Sequence, residues 1–142
     1  MGNLKSEIMF RGRQVSDKRW VIGSLVISVY NTFIIPKYDD SKEGAELISI
    51  IPETVGQFTG LKDKAGKEIF EGDVVLAETI FHQKPTPLTC KVIYNSNEAI
   101  FEIVQYWQSQ NDWKPLSNKK SEYIYEIIGN IHTNPELLTA KI

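Results

Sequence analysis

A chain of 142 residues is about one domain long and buries on the order of two thirds of the surface its unfolded form exposes, so it needs no metal or disulfide to fold. Its 16 Lys and Arg against 18 Asp and Glu give a formal charge of −2, which excludes the globally basic surface of a dedicated nucleic-acid binder and leaves room only for a local patch. A single cysteine excludes an internal disulfide, and no apolar run approaches the roughly 18 residues of a membrane span.

In chain order, IMFR and then RWVIG predict two strands joined by a turn at Ser16 and Asp17. Arg11, Arg13, Lys18 and Arg19 gather near the turn end of that hairpin, either as a solvated loop or as a phosphate-contacting patch. Leu25 to Ile35 is β-branched and aromatic, which predicts strands interrupted near Asn31 and ended by Pro36. KYDDSKEGAE reads as a surface loop, and its Asp39, Asp40, Glu43 and Glu46 lack the spacing of a calcium loop. LISIIP returns to a short strand, and Pro52 marks a boundary, so the expected division is a β-rich N-terminal segment, 1–52, and a C-terminal domain, 53–142.

The chain is organised around the stretch QFTGLKDKAGKEIFEGDVV, Gln57 to Val75. Asp63 is placed to accept hydrogen bonds from backbone N–H groups two residues on, and Gly66 to take the positive φ that closes a tight loop. Gly60 and Gly72 bracket the turn where a strand bends or bulges. DVVLAE then predicts a strand with Val74 and Leu76 on one face and Asp73, Val75 and Ala77 on the other.

Farther on, the two prolines of FHQKPTPL predict an exposed loop holding a solvated His82. LTCKVIY and EAIFEIVQYW read as strands joined across Asn95, Ser96 and Asn97, with Cys90 acting as a small apolar strand residue. Ala99, Phe101, Ile103 and Trp107 make the expected core face of the second strand. SQNDWKPLSNKKS reads as a loop in which Trp113, beside Lys114, Lys119 and Lys120, either caps the fold or stacks on a partner. YIYEIIGNIH predicts a final strand bulged at Gly129, with His132 in a structural connection; TNPELL predicts a short terminal helix with Asn134 as N-cap and Pro135 at its first position.

The central run, the ETVG before it and the terminal IIGNIHTNPELL resemble the signature of the YopX family of bacteriophage and prophage proteins, over Glu53 to Val75 and Ile127 to Leu138. The opening IMFRGR is similar to the basic-aromatic start of such proteins. The resemblance implies a mainly β protein whose C-terminal part is a small SH3-like barrel. It transfers no activity and no catalytic residue. With the absence of a signal peptide, it leads us to expect a cytoplasmic protein of the bacterial host.

No nucleophile stands with a base and an orienting group, two histidines and one cysteine do not make the commoner zinc sites, and the glycines punctuate strands rather than cradle phosphate. We therefore expect a non-enzymatic, cofactor-free protein-interaction or assembly module, with self-association as its simplest form. The alternative is nucleic-acid binding through Arg11, Arg13, Lys18 and Arg19 with Lys62, Lys64, Lys67 and Trp113. Against it, Asp63, Glu68 and Glu71 interleave with the three lysines of the central turn.

Overall fold

The computed structural model describes residues 7–37, 46–79, 87–105, 113–115 and 123–138, with backbone alone for Thr79 and 113–115. The chain is mainly β and forms two compact units, Met1–Gly60 and Leu61–Ile142. The N-terminal segment expected to close at residue 52 continues to Gly60, because Gly56–Phe58 is tied to the opening strand.

The first unit contains β1 (Phe10–Arg13), β2 (Trp20–Ile27), β3 (Thr32–Pro36), β4 (Ile48–Ser49), a 3₁₀ turn at Pro52–Thr54, and β5 (Gly56–Lys62), which carries the chain into the second unit. β6 (Glu68–Phe70) follows β5 in a hydrogen-bonded order β4-β3-β2-β1-β5-β6. Antiparallel register places Gly12 opposite Val21 and Leu25 opposite Ile34, so one sheet face gathers Val21, Ile34 and Ile50 with Leu25, Ile48 and Val55 into a small core. Strand alternation dictates that Arg11, Arg13 and Trp20 share the opposite face. Gly23 is needed for close approach: a Cβ there would lie 1.9 Å from the backbone oxygen of Ile35.

The second unit continues with β7 (Asp73–Thr79), β8 (Leu88–Asn95), β9 (Ile100–Gln105), β10 (Trp113–Pro115) and β11 (Tyr123–Asn130), in the antiparallel order β10-β9-β8-β7-β11. Ile69, Val75, Ala77, Cys90, Val92, Ile103 and Tyr125 form its core. β7 alternates as expected, yet Val74 is wholly buried as well as Val75, so both strand faces are covered at this point.

Four expectations change. The five strands form an open sheet with β10 and β11 at its edges, and no closed barrel exists among the described residues. The terminal helix is a single 3₁₀ turn, Pro135–Leu138, since four residues are too few to close an α-helical ladder. Trp113–Pro115, expected in a loop, pairs with β9. On β9, Ile103 is core as expected, but Ala99 is exposed in the turn at φ 56°, and Glu102, on the opposite face, is 2% exposed, its carboxylate accepting from Asn95 Nδ2 at 2.9 Å. The αL position of this turn falls on Ala99, and Asn95 Oδ1 accepts from Asn97 N at 3.0 Å. The expectations for 38–45, His82, Trp107, Lys119 and Lys120 lie outside the described residues.

Candidate functional site

The most distinctive sequence, the central turn, is built as a structural tie. Asp63 Oδ1 accepts from the backbone N–H groups of Ala65 and Lys67, both at 2.9 Å, and Oδ2 accepts from Ile127 N at 3.1 Å. Lys64 N donates to the Tyr125 carbonyl at 2.9 Å. Tyr125 and Ile127 are two apart on β11, so these bonds satisfy polar groups along one side of an edge strand and block it against further pairing. Burial pushes the Asp63 carboxyl up, but the N–H groups of Ile127, Lys67 and Ala65, with the nearby Lys67 charge, outweigh it and hold the group below the usual value. Gly66, at φ 84°, closes the turn.

The same construction recurs twice. Asp73, 1% exposed, accepts from Phe70 N at 2.7 Å across a turn whose Gly72 has φ 92°; Gly72 also donates to Val92 O and accepts from Ile131 N. At the C-terminal end the β11 register shifts between Ile127 and Gly129, the expected bulge. Asn130 Oδ1 accepts from His132 N and Thr133 N. Asn134 stands at the N-cap position, its carbonyl accepting from Leu137 N at 3.1 Å, while its Oδ1 reaches back to accept from Asn130 N at 3.3 Å and the Thr133 hydroxyl at 2.9 Å. A Cβ on Gly129 would meet that oxygen at 2.6 Å.

None of this is chemistry on a substrate, and Cys90 fits the pattern: burial pushes its thiol up to about 11, far from a reactive thiolate. Among the described residues no group of three or more His, Cys, Asp or Glu is placed to hold a metal ion, and no helix is long and apolar enough to cross a membrane.

The candidate cations separate into two sets. In the first unit the Arg11 and Arg13 guanidiniums lie 4.8 Å and 6.0 Å from the centre of the Trp20 ring. Arg13 Nε donates to the Lys18 carbonyl at 2.9 Å, Lys18 Nζ turns toward Val15 O, and Arg19 Nε pairs with Asp17 at 2.6 Å. These cations chiefly organise their own hairpin. In the second unit Lys62, Lys64 and Lys67 are exposed, and Lys64 Nζ pairs with Glu126 at 3.1 Å. For Trp113 the structure gives the backbone position on β10.

A surface that the sequence reading passed over is the tip of the β2–β3 hairpin. Ile27 is 72% exposed and Val29 and Tyr30 are each 90% exposed. Ser28 closes the turn, donating N–H and Oγ–H to the Asn31 carbonyl while its hydroxyl accepts from Asn31 N. Neither Val29 nor Tyr30 takes a positive φ, so the turn geometry asks for no particular residue there, and an apolar pair is left in water without a packing reason. Beside the tip opens a groove of about 340 Å³, walled by Val29, Tyr30, Val15, Ser49, Ile50 and Pro52, with no charged residue in its lining. The available signal was SVYN, a β-branched residue and an aromatic where turns favour Gly, Pro, Asp or Asn.

The profile of the YopX protein family matches residues 9–139, nearly the whole chain. The chain belongs to the YopX family. The crystal structure of protein EF1440 from Enterococcus faecalis is similar over 94% of this chain and 99% of that one, at 24% identity and a TM-score of 0.54, a likeness of fold alone. No curated protein matches the chain. Within a YopX protein, the signature residues therefore carry turn and edge chemistry, whereas the apolar tip and groove lie outside both signature motifs.

Proposed function

We propose that this YopX-family protein is a non-enzymatic protein-interaction or assembly module acting in the cytoplasm of a bacterial host. The observation that carries it is the Val29–Tyr30 tip, apolar, exposed and set beside an uncharged groove. Covering such a surface removes apolar area from water without desolvating a charge, the condition for a favourable protein contact. The test is a photo-crosslinking residue introduced at Tyr30 and, separately, at the exposed Asn97, in host cells. Protein adducts at position 30 well above those at 97 are expected; equal yields at both positions contradict the reading.

A second reading is nucleic-acid binding, favoured by the stack of two guanidiniums on Trp20. It requires affinity that falls linearly in log–log form with salt and is lost in Arg11→Glu/Arg13→Glu. Absence of binding to single- and double-stranded DNA and RNA at low salt would discard it.

A further inference from the structure

Resting on the interaction reading, we propose that the partner seated in the groove is a second copy of this chain, the Val29–Tyr30 tip of each copy entering the groove of the other. Three features of one small surface lead there. First, projection and cavity are neighbours: Val29 and Tyr30 stand at 90% exposure and also line the groove together with Val15, Ile50 and Pro52. A two-fold contact uses the same patch on both partners, so a patch carrying both a knob and a hole is what self-pairing requires. Second, the sizes agree, because about 340 Å³ accommodates a tyrosine ring with its valine neighbour, while Thr32, Ser49 and Asn31 supply polar partners for a phenolic hydroxyl. Third, the lining is uncharged, so two identical surfaces meet there without the like-charge repulsion that opposes self-association of a charged patch.

The contact is small. A covered aromatic side chain contributes on the order of 150–250 Å², so two tips and their surroundings stay near or below the lower limit of stable interfaces. The expected species is a reversible, concentration-dependent dimer rather than an obligate one.

Sedimentation equilibrium of the full chain over a wide concentration range reads this directly. The weight-average mass should climb from 16.2 kDa toward twice that value. Tyr30→Lys on the knob and Ser49→Arg in the hole should each weaken association by about tenfold or more. Leu47→Lys, which removes an exposed apolar residue outside the groove, should leave it unchanged. All three positions are exposed, so the variants should retain the wild-type fold, checked by circular dichroism. With a photo-crosslinker at position 30 in a mixture of ¹⁴N- and ¹⁵N-labelled protein, mixed-isotope adducts should map to Val15 or to residues 49–52. A strict monomer at all concentrations, or association untouched by both groove variants, overturns the proposal. A monomer whose position-30 probe still captures a different protein in cells overturns self-pairing alone and leaves the interaction reading standing; equal capture at positions 30 and 97 removes both.

Discussion

The two units hold their strands together by different means. In the second, acidic and amide side chains stitch backbone to backbone: Asp63 joins its turn to β11, Asp73 closes the next turn, and Asn130 and Asn134 lock the end of the chain. In the first, missing side chains do comparable work, with Gly23 admitting the Ile35 carbonyl and Gly12 making room for Ile50. The side-chain ties at Asp63, Asp73, Asn130 and Asn134 all fall within the two signature motifs, whereas the exposed apolar tip, Val29 and Tyr30, lies outside them. In this protein the signature residues Asp63, Asp73, Asn130 and Asn134 hold backbone groups of their own fold.

The largest effect is expected from Gly23→Ala, whose Cβ would overlap main chain rather than a yielding side chain; a loss of about 3 kcal/mol or more, or failure to fold, should appear in urea denaturation. Asp63→Ala leaves the N–H groups of Ala65, Lys67 and Ile127 without their carboxylate and should cost about 2–4 kcal/mol, on the order of 10 °C in melting temperature. Gly129→Ala presses on Asn134 Oδ1 and on Leu137 Cδ1, both side-chain atoms able to shift, and should cost about 1–3 kcal/mol. Cys90 should resist thiol reagents in the native protein and react once urea unfolds it. At the other extreme, Tyr30→Lys should change stability by no more than about 0.5 kcal/mol, because the side chain packs on almost nothing.

Much of the stitched region was legible because its devices are local. Asp63 accepting from Ala65, the positive φ of Gly66, the bulge near Gly129 and Pro135 opening the last turn all follow from residues within a few positions of one another. The bond from Ile127 to Asp63 spans 64 residues and could not be read from spacing, although it explains why turn and terminus carry signature residues together. Burial of Glu102 was missed because period-two alternation assigns one inner face, whereas this strand is covered on both. The hairpin tip was missed for a different reason: β-branched and aromatic residues there were absorbed into strand propensity, and only the structure shows Val29 and Tyr30 at the turn itself.

The tie from the Asp63 carboxylate to β11 is tested by the urea midpoint of wild type against Asp63→Asn from pH 7 down to pH 2. Asp63 has a folded pKa below its unfolded value of about 3.9, so its charged-state contribution is fully present above the unfolded pKa and is lost as pH falls through the folded one. Asp63→Asn should have the lower midpoint, with a gap to wild type that is constant from pH 7 to about pH 5 and narrows below about pH 4. Equal midpoints at pH 7, or a gap that does not change with pH, would contradict it.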